Sequence, residues 1–143
     1  MRLWHEALLP LLPREQLLGQ HRECCALRGL SWGKRHAVVD YVFRHPREDL
    51  VVYHRRVMEE MERRGYRVDP FWWDASYRGK RCLCYKPDKG MIREAEARVP
   101  VYTEHDGDYL EACVANLHEK GVPLTTVRLF YGSFGKRRAM MVR

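Results

Sequence analysis

Residues 15–23 read Glu-Gln-Leu-Leu-Gly-Gln-His-Arg-Glu, and the Arg22–Glu23 step sets a cation suited to phosphate beside a carboxylate suited to moving protons. A carboxylate in such a place can act as a general acid or base or stabilise a developing positive charge. Neighbouring residues on a helix diverge around its axis, so adjacency alone does not make this an ion pair. A solvated polar helix face is the plain alternative. The second group with chemical content is the tail, where Phe130, Tyr131 and Phe134 alternate with Arg128, Lys136, Arg137 and Arg138, with Gly132 and Gly135 between them. Aromatic faces stack on bases, cations neutralise phosphates, and glycines let backbone approach backbone. Its alternative is a segment docked by its aromatics, with a solvated basic end. Lys34, Arg35 and His36 form a shorter basic group that reads equally well as a charged loop.

Five cysteines, Cys24, Cys25, Cys82, Cys84 and Cys113, make an odd count. In a reducing compartment that argues against a disulfide framework. One pair is adjacent and the other separated by a single residue, unlike the two to four residues usual between zinc-binding cysteines. Buried free thiols are the expectation, and no metal or cofactor is expected.

Three helices must position these groups. The first spans 13–27, opened by Pro13 and stopped by Gly29, with Leu17, Leu18, His21, Cys24, Cys25 and Arg28 at three- and four-residue spacing on one face. Gln16, Gly19, Gln20 and Glu23 fall on another. The second spans 46–64 and is closed by Gly65. Glu48 and Asp49 lie in its first turn, and Leu50, Val51, Tyr53, His54, Val57, Met58 and Met61 form its buried stripe. Arg55, Arg56, Arg63 and Arg64 are expected as two basic clusters toward solvent. The third spans 108–120, with Asp108 and Glu111 resembling a capping box and Gly121 as its stop. A short helix at 37–43, a short strand at 81–85 within an otherwise irregular 68–101, and strand propensity at 126–131 complete the picture. The expected fold is mainly α: a compact single domain over 1–143, with about three principal helices and long irregular loops.

The bulk numbers fit this reading. A chain of 143 residues supports one modest core, and 45% apolar with 31% charged residues is ordinary for a globular protein. A net charge of +7 suits an anionic partner such as nucleic acid, or serves solubility alone. No apolar run approaches the ~20 residues of a membrane span. Glu6, Pro10 and Pro13 interrupt the apolar start, so no signal peptide is expected and the protein is read as intracellular, cytoplasmic and DNA-associated.

The run LPREQLLGQHRE resembles the first-helix segment of the pyrimidine-dimer DNA glycosylases, the endonuclease V type, with two aliphatics, a small residue, a polar residue and then Arg-Glu. The stretch VYHRRVMEEMERRGY resembles that family's basic second helix, and YGSFGKRR resembles its aromatic, basic C-terminal segment. The likeness runs in the same order over most of the chain, while 71–101 has little counterpart. It departs at two positions: Ala26 stands where the family has Arg, with Arg28 as a possible substitute or a helix-end cation, and His21 stands where the family has an aromatic.

The resemblance implies a metal-independent, monomeric enzyme acting on double-stranded DNA with damaged pyrimidines or abasic sites. It would cleave a glycosidic bond and then nick by β-elimination through a Schiff base on the N-terminal α-amine. Carried over, the catalytic residues are Met1, Glu23 and Arg22. The bulk of Arg2 should block removal of Met1. An α-amine has a reference pKa of about 7.7–8.0, so a useful fraction is neutral near pH 7. DNA contacts are expected at Arg2, Gln16, Arg28, Lys34, Arg35, Tyr131, Phe134, Lys136 and Arg137. Trp4 and His21 are read as packing residues. A DNA- or RNA-binding domain of the same fold without catalysis is the alternative, and a metal-dependent nuclease or zinc module built from cysteines and histidines is a third reading.

Overall fold

Among the described residues of the computed structural model, four α-helices and an antiparallel strand pair follow one another: α1 (Arg14–Arg28), α2 (Arg47–Arg63), α3 (Lys89–Glu96), α4 (Gly107–Glu119), β1 (Thr126–Tyr131) and β2 (Arg137–Val142). Short 3-10 segments lie at Glu6–Leu11, Asp40–Arg44 and Pro70–Trp73. The structure describes residues 2–34, 39–122, 124, 126–131 and 137–142, the last two stretches by backbone alone. The fold is mainly helical. Among the described residues no helix is long and apolar enough to cross a membrane.

Helix α2 is the centre. All seven residues of its expected stripe, from Leu50 to Met61, are buried. Burying a large aliphatic side chain contributes about 1.5–3 kcal/mol, so this stripe dominates the core. The first-turn acids are also buried, and each has a partner: Glu48 accepts the Asp88 backbone N–H at 2.8 Å, and Asp49 accepts from Arg98 at 2.8 Å. Gly65 ends the helix with φ of 83°, a left-handed turn that favours glycine. Helices α1 and α3 both pack against α2.

Several expectations change. The basic residues of α2 are not free clusters. Arg56 pairs with Glu6 at 2.8 Å, Arg55 with Glu96 at 3.3 Å, and Arg63 and Arg64 with Glu60. Arg64 also donates to the carbonyls of Leu9, Pro10 and Leu12. Helix α3 replaces irregular chain: Asp88 caps it by accepting from Met91 N, and Ile92 and Ala95 are its buried contacts. No strand forms at 81–85. The cap of α4 is Asp106, which accepts from Tyr109 N, rather than Asp108. The short helix expected at 37–43 is a 3-10 segment at Asp40–Arg44, with 35–38 outside the described residues. Cys24 and Cys113 are buried thiols, but Cys84 is exposed. The strand propensity at 126–131 is realised as β1, which pairs antiparallel with β2 from Thr126↔Val142 to Tyr131↔Arg137.

Candidate active site

The site is organised by a residue whose sequence position suggests only a polar surface. Gln20 is 1% exposed. Its Oε1 accepts the Trp4 backbone N–H at 2.6 Å, and its Nε2 donates to the Arg2 carbonyl at 3.0 Å. The Tyr53 hydroxyl lies 2.9 Å from the same Oε1 and 2.6 Å from the Trp4 carbonyl, with one proton to share between them. A side-chain amide has the donor and acceptor of a peptide group. Gln20 therefore does for residues 2–4 what a neighbouring strand would, and fixes that extended segment along α1.

Three residues further along α1, Glu23 borders an open cleft of about 380 Å³ together with Arg2, Trp4, Glu15, Gln16, Gly19, Gln20, Arg22 and Lys120. Glu23 is half-buried, and its Oε1 is shielded from solvent. Arg22 is exposed at the rim. Trp4 forms an aromatic wall beneath two cations: the Arg2 guanidinium lies 5.9 Å and the Lys120 ammonium 5.7 Å from its ring centre. The cleft thus joins two carboxylates, Glu15 and Glu23, to cations from three parts of the chain, Arg2, Arg22 and Lys120, a combination that can hold a phosphate beside a proton-transfer group.

A family model described as pyrimidine dimer DNA glycosylase matches residues 1–74, about half the chain. The chain belongs to this family. No curated protein and no solved structure matches it. Every residue of the cleft except Lys120 lies inside the stretch that matches the glycosylase family.

Of the residues expected to act in this glycosylase-family chain, Arg2, Gln16, Arg22 and Glu23 meet at the cleft. Lys34 is exposed away from it. Met1, Arg35, Phe134 and Lys136 lie outside the described residues. Tyr131 and Arg137 face each other in the strand register, with side chains also outside the description. Arg28 needs correction as a DNA contact and as a substitute for the cation missing at Ala26. Five residues beyond Glu23, it is rotated about 140° around the helix. It is 4% exposed, and it donates to the carbonyls of Trp72 at 2.9 Å, Asp74 at 2.9 Å and Tyr77 at 3.2 Å, and to His54 Nδ1 at 2.9 Å. It anchors a loop. Trp4, Glu15, Gly19, Gln20 and Lys120 are the members of the cleft that sequence reasoning missed.

On the α2 side of α1, His21, Cys25 and His54 bring three potential metal ligands within 4.8 Å of one another. The donor set argues against a metal there. Arg28 donates to His54 Nδ1, so Nδ1 holds the lone pair and Nε2 carries the proton, which it gives to His21 Nδ1 at 2.9 Å. Freeing Nε2 for a cation would turn an N–H against the Arg28 N–H. Burial and the Arg28 charge also hold His54 well below the ordinary histidine range. His21 is depressed by partial burial, with Arg22 and Arg28 adding to the effect. The two rings are 5.0 Å apart. They form a neutral, hydrogen-bonded packing pair, which fits the expectation of a packing role for His21.

Proposed function

We propose that this chain cleaves the glycosidic bond of the 5′ base of a pyrimidine dimer in double-stranded DNA and then nicks the resulting abasic site, using an imine formed by the α-amine of Met1. One observation carries the reading: Arg2 and Glu23 border one cleft, and Gln20 ties the backbone of residues 2–4 to the helix that bears Glu23. Consecutive Cα atoms are about 3.8 Å apart, so an amine one residue ahead of Arg2 has the cleft within reach. A cleft volume of about 380 Å³ suits a nucleotide-sized group drawn out of the duplex.

The chemistry follows from these groups. The amine lone pair bonds to C1′ as the glycosidic bond breaks and the base leaves with that bond's electron pair. Opening of C1′–O4′ gives a protonated imine, an electron sink. Loss of a C2′ proton then expels the 3′ phosphate. Glu23 stabilises the positive charge developing on the sugar and steers the proton transfers, while Arg22 and Arg2 hold phosphates. The enzyme acts as a monomer inside the cell and needs neither metal nor cofactor.

Borohydride reduction with an abasic duplex tests the reading. The expected product is a covalent adduct that peptide mass analysis maps to the first residue, and retained extra residues ahead of Met1 abolish it. Salt-sensitive DNA binding without adduct or cleavage would instead favour a non-catalytic binding domain.

A further inference from the structure

A second feature, outside the cleft, lies where α1, α2 and the 77–88 loop meet. A cavity of about 10 Å³ is lined by Arg28, Trp32, Arg47, Leu50, Val51 and Tyr85. Three polar atoms of these residues, Arg28 Nε, Arg47 Nη1 and Tyr85 Oη, are shut off from solvent and have no hydrogen-bond partner among the described residues. The Arg47 guanidinium is held between two rings, 4.6 Å from the Trp32 centre and 5.6 Å from that of Tyr85. Neither Arg28 nor Arg47 forms an ion pair among the described residues. Arg78 adds a third guanidinium close by, spent on the carbonyls of Arg28 and Gly29. The nearby carboxylate, Glu48, is turned to the Asp88 N–H.

We infer that this cavity is a halide site that takes chloride. Arg28 is buried and Arg47 half-buried, and a guanidinium group shut away from water is costly without a compensating charge. The cavity holds one water-sized guest, which excludes phosphate, sulfate and carboxylates. Its lining residues carry two guanidinium N–H donors and one phenol O–H without partners among the described residues, and only the Tyr85 oxygen can also accept. A water molecule would leave a hydrogen against Trp32, Leu50 and Val51. A monatomic anion accepts from all three donors, needs no acceptor, and offsets one of the two positive charges. Bound there, it ties the end of α1 to the start of α2 and to the 77–88 loop.

Two measurements test this together. Thermal unfolding is followed at fixed ionic strength while sodium gluconate is exchanged for sodium chloride, and crystals grown in bromide are examined for anomalous scattering. The expected results are a rise in Tm of about 2–4 °C in chloride, loss of most of that rise in both Arg47→Met and Tyr85→Phe, and a bromide peak between the three donors. Tyr85→Phe keeps the ring against Arg47, so it tests the hydroxyl without emptying the wall. Water density with no anomalous peak in the cavity overturns the proposal. So does a chloride response that survives in both variants, which would assign it to the protein's surface.

Discussion

Gln20 Oε1 receives the backbone N–H of Trp4 at 2.6 Å, across sixteen residues of chain. This bond and its companion to Arg2 set the line along which the chain enters the cleft. Replacing Gln20 with Leu removes both and leaves the Arg2 carbonyl, the Trp4 N–H and the Tyr53 hydroxyl with fewer partners. We predict a loss of about 2–4 kcal/mol in chemical denaturation. At a temperature where the variant is still folded, nicking of abasic DNA should fall at least about tenfold, because the reacting groups lose their alignment. Wild-type activity in this variant would show that the segment needs no such clamp.

Glu23→Gln keeps the size and hydrogen-bonding reach of the side chain and removes its charge. Base release and strand nicking should fall by about 10²-fold or more, the range for losing a positioned acid–base or electrostatic group. Binding to abasic duplex and the melting temperature should stay close to wild type. Single-turnover gels beside a binding titration separate these effects, and undiminished nicking would remove Glu23 from the chemistry.

Arg22 and Arg28 share a helix but should behave oppositely. Arg22→Ala removes an exposed cation at the cleft rim. The slope of log binding constant against log salt should become shallower by about one, with little change in stability. Arg28→Ala leaves His54 and three carbonyls without their donor. It should cost about 3–5 kcal/mol while the salt slope of the remaining folded protein stays as it was.

The second helix was legible because its apolar stripe repeats for about three turns between Pro46 at its start and Gly65 at its end. Helix α3 was not, since eight residues give no sustained period and only two of them are buried. At the site, Arg22, Glu23, Gln16 and Arg2 could be named from the Arg-Glu step and the resemblance around it. Gln20 could not. A glutamine reads as surface until its partners, 16 and 33 residues away, are known to fold against it. The same limit misread Arg28: its type suggests phosphate, and only the packing of 72–77 decides that its donors are already taken.

Buried histidines give the fold an acid limit. His105 accepts the Glu6 backbone N–H at its Nδ1 at 3.1 Å and lies 2.8 Å from the Tyr41 hydroxyl at its Nε2. Burial, with neighbouring His5 adding to it, pulls its pKa from the ordinary 6.5 down to about 3. His5 and His54 are lowered as well, chiefly by burial. Unfolded chains bind these protons near pH 6.5, and the native state does not. Stability is therefore full above pH 6.5 and falls as pH drops toward 3, by up to about 1.4 kcal/mol per pH unit for each such histidine. Urea midpoints at pH 7.5 and 5.5 should differ in that direction, and His105→Gln should flatten the difference. Equal midpoints would contradict this account.

Glu6 links distant parts of the chain. Its carboxylate takes the Val101 N–H across 95 residues, and its own N–H reaches His105 across 99. The Tyr109 hydroxyl closes on the Leu3 carbonyl across 106. Contacts this far apart in sequence form late and slowly, because the intervening chain must be gathered first. A chain emerging from the ribosome holds Arg2 and Glu23 almost from the start, yet the supports on either side of that first segment arrive only with residues beyond 100. The geometry of the cleft is thus completed only when most of the protein has been synthesised.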